Sequence, residues 1–553
     1  MAFPYRGNCH GWHIDGLPPD CNFPAQLNHI LKINKSMTTI SEMLAQNARL
    51  YPDDIALIEL KPSQKMKKEI TWEQFDERAN RIANALMDRG IGKGDKVIHW
   101  MMNSINWLEA YFGIIRTGAW AVPLNFRFTS RDLKYCADIA EARAMILGEE
   151  FIERVEAICS QLHTIQRYIL AGQSLHGNME GLEDLIKSSL SRPTDVELTD
   201  EDECGLYFTS GTTGAPKPIL LTHKNMVCAA ITEKAHHYQT HGDNFILLPP
   251  LYHTGAKMHW FGNLLAGGKA TILKEINPRN IFEAVEKEKG TIVWLLVPWA
   301  HDILVALDRG ELKREDYDLS CWRLMHIGAQ PVPPSLVQRW KKYFPNMQYD
   351  TNYGLGEASG PGCVHLGIEN EIKVGAIGKA GFNWEVRIVN DSGKDVAQGE
   401  AGELIVEGCG VMKEYYKNPE KTAETIRDGW LYTGDMVRMD SEGFIYLVDR
   451  KKDVIITGGE NIYPAEVEEI LHRHPKIYDV AVIGIPDERL GEIPLAIIDH
   501  KLDETLTEAE IIAFCEQNLA KHIRPRRIVF DKVPRNPTGK IEKPKLRQKF
   551  ADQ

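Results

Sequence analysis

The segment Thr71–Asn125, "TWEQFDERANRIANALMDRGIGKGDKVIHWMMNSINWLEAYFGIIRTGAWAVPLN", decides the fold class of this chain. Its first part has apolar residues at helical spacing and stops at Gly90, which predicts a helix. "KVIHWMM" then predicts a strand, "NWLEAYFGIIRTG" a second helix, and "AWAVPLN" a second strand. This alternation predicts parallel sheets with helices on both faces.

Similar units recur along the chain at "DNFILLPPLYH", "NPRNIFEAVEKEKGTIVWLLV" and "CWRLMHIGAQPV". From about Val386, short strands separated by turns predict a small β-barrel. Past Arg450 we expect a separate α+β unit, with a helix at "YPAEVEEILHRHP", a strand at "YDVAVIGIP" and a helix at "TEAEIIAFCEQNLA". The charged connector "VDRKKD" places the domain boundary, so we expect domains over residues 37–449 and 450–553. Residues 1–36 are rich in Gly, Pro, Asn and Cys without any period, which is typical of an irregular extension.

The composition excludes several classes of protein. A length of 553 residues with 43% hydrophobic and 26% charged residues indicates a globular chain of two or more domains. A net charge of −12 argues against a nucleic-acid binder. The apolar run "IVWLLVPWA" is too short to span a bilayer, and the N-terminus lacks the pattern of a signal peptide, so a cytoplasmic protein is expected. Ten cysteines without a CxxC pair suggest neither a zinc site nor a disulfide framework, and reduced thiols are expected.

The charge is unevenly spread, and its basic end is a candidate binding surface. Residues 521–549 hold eleven Lys and Arg against two acids, a difference of +9 (11 − 2). Two interpretations stay open for this stretch, a solvated basic tail or a surface that meets a polyanionic small molecule.

The stretch "TSGTTGAPK" (Thr209–Lys217) predicts a polyphosphate-binding loop. Its glycines let the backbone approach an anion closely, while its hydroxyls and lysine supply donors and a cation. The stretch lacks the GK[ST] ending of a P-loop. The expected phosphate-binding residues are Thr209, Ser210, Gly211, Thr212, Thr213, Gly214 and Lys217.

This loop resembles the phosphate loop of the adenylate-forming superfamily, which includes acyl-CoA synthetases, nonribosomal-peptide adenylation domains and luciferases. The other motifs of that superfamily follow in its order: "PLYHTG" (250–255), "GAQPV" (328–332), "YGLGE" (353–357), "GELIVEG" (402–408), "WLYTGD" (430–435), "DRKKDVIITGGENIYPAEVE" (449–468) and "PRNPTGKIEK" (534–543). The resemblance therefore covers the chain from about Met37 to its end. It implies an α/β fold with two αβαβα parallel-sheet subdomains and a small β-barrel, followed by a small mobile α+β domain.

The resemblance also implies the nucleotide-binding residues. Tyr353 offers a ring to stack on adenine, while Asp435 and Arg450 correspond to the residues that reach the ribose. The remaining expected contacts to ATP or coenzyme A are Gly328, Ala329, Gln330, Asn352, Gly354, Gly458 and Gly459.

Catalysis is expected to depend on Lys540, Glu357, Thr212 and His253. Lys540 corresponds to the lysine that bridges the substrate carboxylate and the α-phosphate, where a fixed ammonium offsets the repulsion between two anions. Glu357 and Thr212 are the expected Mg²⁺ ligands, since Mg²⁺ prefers one or two carboxylates plus phosphate oxygens. Lys452 occupies the position of the hinge about which the C-terminal domain rotates before CoA attacks.

The acyl pocket is expected near His253, Lys257, Trp260, Trp299 and Gly328. His253 is expected to gate the acyl or thiol tunnel. The bulky rings favour a small-to-medium, branched, cyclic or aromatic acid, although ordinary core packing explains them equally well. Lys257 stands where a small or apolar residue is expected, which suggests a substrate with a second polar group.

Two residues depart from the superfamily pattern. Gly356 replaces a threonine expected to contact the α-phosphate, and Pro218 replaces a glycine and lacks an N–H donor. The preferred function is that of an AMP-forming acyl-CoA synthetase using ATP, Mg²⁺ and coenzyme A. The alternatives are an acyl-AMP ligase that delivers to a carrier protein, a luciferase-like oxygenase and a catalytically impaired nucleotide-binding regulator. Association as a homodimer is left open.

Overall fold

The computed structural model describes residues 38–172, 176–209, 216–458, 460–501, 505–536 and 540–550, so the expected irregular extension over residues 1–36 lies outside the described residues. The α-helices, numbered in chain order, are α1 Ile40–Leu50, α2 Trp72–Met87, α3 Ile105–Arg116, α4 Ser130–Ala140, α5 Ile152–Glu156, α6 Leu182–Ser188, α7 His223–His237, α8 Thr254–Leu265, α9 Pro278–Glu288, α10 Val297–Asp308, α11 Pro334–Tyr343, α12 Pro419–Thr425, α13 Pro464–His472, α14 Glu508–Asn518 and α15 Lys543–Phe550. In these stretches no helix is long and apolar enough to cross a membrane.

The strands, also in chain order, are β1 Ile55–Lys61, β2 Met66–Thr71, β3 Lys96–Trp100, β4 Trp120–Pro123, β5 Ala144–Gly148, β6 Arg167–Ala171, β7 Glu180–Gly181, β8 Glu203–Thr209, β9 Lys217–Thr222, β10 Asn244–Leu247, β11 Lys269–Leu273, β12 Ile292–Leu296, β13 Leu324–Gly328, β14 Gln348–Leu355, β15 Gly360–His365, β16 Lys379–Ala380, β17 Trp384–Val389, β18 Gly402–Gly408, β19 Glu414–Tyr415, β20 Ile426–Arg427, β21 Trp430–Met439, β22 Ile445–Arg450, β23 Ile455–Thr457, β24 Glu460–Ile462, β25 Ile477–Asp487, β26 Gly491–His500 and β27 Arg527–Phe530.

The segment that opened the sequence analysis folds as predicted. Helix α2 begins at Trp72 because Thr71 and Gln74 form a reciprocal capping box. Its buried face packs on α3, where Phe75 meets Phe112 edge to face with ring centres 5.4 Å apart. Strands β3 and β4 pair in parallel, as the alternation of helices and strands requires.

Two large sheets form the first part of the chain, which confirms the predicted α/β fold. An eight-stranded sheet has the order β19-β9-β8-β4-β3-β5-β6-β7, and a nine-stranded sheet has the order β16-β15-β14-β13-β12-β10-β11-β1-β2. The central pairs of both sheets are parallel, and antiparallel strands extend their edges. The carboxyl ends of parallel strands lie at the same edge of a sheet. A ligand site is therefore expected at the loops after β8, β13 and β14.

Two smaller sheets complete the described structure. Strands β17, β18, β21, β20 and β22 form an antiparallel sheet in the region predicted to be a small β-barrel. Strands β24, β23, β26, β25 and β27 form a separate sheet, covered by α13, α14 and α15, which is the predicted α+β unit. Strand β22 ends at Arg450 and β23 begins at Ile455, so the connector between these sheets contains Lys452.

The expectation that the cysteines are reduced was wrong for one pair. Cys228 on α7 and Cys409 after β18 form a disulfide, with their Cα atoms 5.9 Å apart. The two residues are 181 positions apart in the chain, so their spacing gave no sign of the pairing. The other cysteines of the described residues are free thiols.

Candidate active site

The ends of the predicted phosphate loop are fixed by a hairpin. Thr209 closes β8 and pairs with Lys217, which opens β9. The Lys217 ammonium lies 5.6 Å from the centre of the Tyr415 ring, and the Tyr415 hydroxyl donates to Glu357 Oε1 at 2.6 Å. Tyr415 therefore links the start of β9 to Glu357, the predicted metal ligand. The residues between them, Ser210, Gly211, Thr212, Thr213 and Gly214, lie outside the described residues.

Steric crowding explains why Gly356 stands where the superfamily has a threonine. A Cβ atom added at Gly356 would lie 2.7 Å from Thr209 Cγ2 and 2.9 Å from Ile219 Cδ1. Ordinary carbon contacts are about 3.5–4.0 Å, so the methyl groups of β8 and β9 already fill this space. The neighbouring Gly354 is tighter still, because its Cβ would meet the carbonyl oxygen of Gly360. Gly356 therefore allows the turn that carries Glu357 to lie against the phosphate-loop hairpin, while Gly354 allows the close approach of β14 to β15.

A buried carboxylate joins the residues expected to bind the nucleoside. The Tyr353 hydroxyl donates to Asp435 Oδ2 at 2.5 Å, and Arg450 Nε lies 3.2 Å from Asp435 Oδ1. Asp435 and Arg450 are register partners on β21 and β22, which fixes their separation. Burial, together with the nearby carboxylate, raises the pKa of Tyr353, so the phenol stays protonated and donates. The structure thus brings these three predicted residues together.

The loop after β13 begins with a residue in the left-handed region. Gly328 ends the strand, and Ala329 has φ of 69°, in the left-handed region that residues other than glycine rarely adopt. Gln330 accepts a hydrogen bond from Arg535 Nη1 at 3.2 Å. Arg535 is itself held by two 2.7 Å hydrogen bonds to Asp479 of the C-terminal sheet. The C-terminal unit therefore contacts the predicted adenine loop directly.

Lys540 approaches the site from the C-terminal unit. Its loop is closed by two 2.9 Å hydrogen bonds, from Lys540 N–H to Asn536 Oδ1 and from Asn536 N–H to the Lys540 carbonyl. Burial, followed by the Arg450 guanidinium, lowers the pKa of Lys540 to about 8. Burial, with Lys257 and Lys540, lowers the pKa of His253 to about 4. Lys540 thus lies within electrostatic range of both the nucleoside residues and His253, which is neutral.

The connector carries the predicted hinge. Lys452 is exposed in the turn that follows β22. The next residue, Asp453, is buried and pairs with Arg547 at 2.8 Å. On the other side, Asp449 accepts from the N–H of Ala465 at 2.8 Å, and burial raises its pKa to about 6. Gly458 is exposed with φ of 59°, while Gly459 lies outside the described residues.

The residues predicted to line the acyl pocket differ in their burial and packing. Lys257 is fully buried, with its ammonium 4.1 Å from the centre of the Tyr207 ring, and burial strongly lowers its pKa. Trp260 is also fully buried, and Trp299 packs against the core of the nine-stranded sheet. Lys257 therefore lies against the rings of Trp107, Tyr111 and Tyr207, and its place in the acyl pocket stays a prediction.

Trp294 on β12 is a buried side chain that lies close to two of the motif glycines. Its Cη2 lies 3.2 Å from a Cβ placed at Gly255, and its Nε1 lies 3.9 Å from one placed at Gly328. The indole therefore fills the space between two glycines of the acyl-pocket motifs. Its position inside the apolar run "IVWLLV" is typical of a core strand, so nothing in the sequence indicates that its indole lies between Gly255 and Gly328.

Asn352, predicted to contact the nucleotide, has its Oδ1 3.6 Å from a Cβ placed at Gly328. Its amide donates to Glu233 Oε1 at 3.1 Å, in a buried group behind the pocket.

The basic stretch over residues 521–549 is largely paired within the C-terminal unit, so simple subtraction overstates its charge. Seven of its cations contact carboxylates: Arg524, Lys532, Arg535, Lys543, Lys545, Arg547 and Lys549. These pairs reduce the field available to a polyanion.

Comparison with known proteins identifies the family. The AMP-binding enzyme family matches residues 44–416, and the AMP-binding enzyme C-terminal domain matches residues 466–540. The chain belongs to the AMP-binding enzyme family.

Its relatives are ligases. A feruloyl-CoA synthase of Amycolatopsis sp is 34% identical, over 87% of this chain and 94% of the relative. The long-chain-fatty-acid–CoA ligase FadD13 of Mycobacterium tuberculosis is 30% identical, over 93% of this chain and 99% of the relative. Among solved structures, the anthranilate CoA ligase AuaEII in complex with anthranoyl-AMP has a TM-score of 0.85 at 27% identity, over 93% and 97% of the two chains.

Proposed function

We propose that the protein is an AMP-forming acyl-CoA synthetase that activates a flat, small-to-medium aromatic acid. The acid and ATP form acyl-AMP and pyrophosphate, and the sulfur of coenzyme A then displaces AMP. The observation that carries this proposal is the hydrogen-bonded Asp435–Tyr353–Arg450 group, with Lys540 near enough to Arg450 and His253 for their charges to interact.

The residues of the cleft divide the work of the first step. The substrate carboxylate is already a nucleophile, so no general base is needed, and His253 with a pKa of about 4 is a poor one. The Lys540 ammonium offsets the repulsion between the carboxylate and the α-phosphate as they approach. Asp435 and Arg450 hold the ribose, with Tyr353 beside them.

Magnesium fits the same cleft. Glu357 is a partly exposed carboxylate on a turn next to the phosphate-loop hairpin, and Tyr415 orients one of its oxygens. With Thr212 it would hold Mg²⁺ against the β- and γ-phosphates, where the cation supplies charge neutralisation.

The substrate class rests on Trp294. An indole between Gly255 and Gly328 limits the depth of the pocket to that of a short or planar acid. Relatives act on acids of this kind, including the feruloyl-CoA synthase and a 2-succinylbenzoate–CoA ligase of Bacillus mycoides at 31% identity. FadD13, whose name gives long-chain fatty acids, is the opposing case.

The second step requires the C-terminal unit to turn about Lys452, which would withdraw Lys540 and bring Gly458 and Gly459 to the thiol. The gap between the last strand of one sheet, ending at Arg450, and the next sheet, starting at Ile455, supports a boundary between residues 37–449 and 450–553. A homodimer and a cytoplasmic location are predictions from the sequence alone.

The test is pyrophosphate release with ATP and Mg²⁺ over a panel of benzoic, cinnamic and straight-chain acids. We expect release with aromatic acids at least about tenfold above that with long-chain acids, a discrimination within reach of pocket shape. Faster release with long-chain acids would contradict the substrate class. If none of the acids supported pyrophosphate release, the ligase proposal would be contradicted.

A further inference from the structure

A group of histidines and carboxylates is buried behind the acyl pocket. Glu233 and His237 lie one turn apart on α7, His259 lies on α8 and His326 on β13. Asp350 on β14 and His365 on β15 complete the group. None of the six residues is more than 2% exposed. Charged and ionisable groups are rarely buried to this degree unless they are paired or bind a metal.

Three imidazole nitrogens surround one oxygen of Glu233. From Glu233 Oε2, His259 Nδ1 lies at 3.1 Å, His237 Nδ1 at 3.2 Å and His326 Nδ1 at 4.0 Å. In a tetrahedral zinc site with bonds of about 2.1 Å, neighbouring ligand atoms are about 3.4 Å apart. His259 and His237 have close to this spacing from Glu233 Oε2. Glu233, His259 and His326 each offer one ligand atom, and these three atoms all lie within 4.8 Å of one another.

These contacts do not have the geometry of hydrogen bonds. Within the described residues, Glu233 Oε2 and the Nδ1 atoms of His237, His259 and His326 are buried without a hydrogen-bond partner. Leaving one such group unsatisfied costs about 1–3 kcal/mol, so four of them converging on one point call for a missing partner.

A second layer of hydrogen bonds orients the group. His237 Nε2 lies 2.5 Å from Asp350 Oδ2, and His365 Nε2 lies 3.1 Å from Glu233 Oε1. His365 Nδ1 also forms an ion pair with Asp350 Oδ2 at 2.9 Å. These contacts hold the Glu233 carboxylate and the neighbouring rings in place, as outer contacts do around a metal ligand.

We propose that Glu233, His259 and His326 form a binding site for a divalent transition metal of the zinc class. Imidazole nitrogens with one carboxylate suit such an ion, whereas the hard Mg²⁺ of the phosphate cleft takes oxygen ligands. The site is distinct from that cleft and does not depend on the proposed function.

The location gives the metal a structural role at the acyl pocket. His326 stands two residues before Gly328 on β13, and the His259 ring packs on Trp294 with centres 4.1 Å apart. Asn352 ties the same group to the strand that carries Tyr353. A bound ion would fix α7, α8, β13 and Trp294 in one arrangement and so set the floor of the pocket.

The test measures metal binding on the full chain after chelator treatment and reloading with Zn²⁺ or Co²⁺. We expect about one equivalent of tightly held metal, and visible absorption from Co²⁺ typical of tetrahedral nitrogen and oxygen ligands. Glu233→Gln, which keeps the shape of the side chain, should lose that equivalent and the absorption. His223→Asn is the matched control, because His223 is also fully buried on α7 but outside the group, and it should keep both.

The wild-type result decides the proposal even where a variant fails to fold. Less than about a tenth of an equivalent of metal in the wild type would overturn it and leave an imidazolium–carboxylate network as the account of the group. Equal binding by wild type and folded Glu233→Gln would also overturn it, since the metal would then lie elsewhere. His259→Asn repeats the measurement on a second ligand.

Discussion

Substitution of Gly356 tests the proposal that steric crowding excludes a side chain at this position. An added Cβ would approach Thr209 Cγ2 to 2.7 Å and Ile219 Cδ1 to 2.9 Å, about 1 Å inside ordinary contact. The φ of Gly356 is not in the left-handed region, so the effect of a substitution is steric. Overpacking of this kind costs about 1–3 kcal/mol, and we expect Gly356→Ala to lower the free energy of unfolding by that amount.

The same change displaces Glu357, the next residue, so acid-dependent ATP–pyrophosphate exchange should fall about tenfold or more. Thr209→Ser removes the methyl group in the way, and the double variant should recover part of both losses. Gly92→Ala is the control, since an added Cβ there meets nothing within 4 Å. Denaturant unfolding and the exchange assay measure the two effects. Gly356→Ala with full stability and exchange, or no recovery in the double variant, would refute the steric explanation.

Three further predictions concern other parts of the structure. Because Lys540 is charged only below its pKa of about 8, kcat/KM for adenylation in the wild type should fall as pH rises above that value, and Lys540→Arg should lose this limb; an unchanged profile would contradict the role of the ammonium. Trp294→Leu should shift the ratio of kcat/KM values toward longer acids by about tenfold, and an unchanged ratio would remove Trp294 from the pocket. Reduction of the Cys228–Cys409 disulfide should lower the free energy of unfolding by about 2–5 kcal/mol, an effect that Cys228→Ser should abolish, and a wild type insensitive to reductant would contradict the bond.

The local elements were predictable because their signals are local. Thr71 followed by Gln74 marks the start of α2, and the structure has the capping box that this spacing predicts. The strand "YDVAVIGIP" and the helix of "YPAEVEEILHRHP" were found in the same way, from period and flanking prolines. Asp435 and Arg450, which the motif order predicts to share a site, are register partners on β21 and β22.

The features that were missed depend on contacts between distant segments. Cys228 and Cys409 are 181 residues apart, and no spacing rule joins them. Glu233 and His237 show the i, i+4 spacing of a helix face, but His259 and His326 come from other elements. The full burial of Lys257 against the Tyr207 ring also depends on packing between distant segments.

The central claim is that Lys540 acts in the formation of acyl-AMP and not in its transfer to coenzyme A. The most direct measurement is product analysis by mass spectrometry of wild type and Lys540→Ala in two reactions, acid with ATP, and synthetic acyl-AMP with coenzyme A. The account predicts that the variant loses acyl-AMP formation by about 10²–10³-fold yet converts supplied acyl-AMP to the thioester at close to the wild-type rate. Equal loss in both reactions, or no loss in the first, would contradict it.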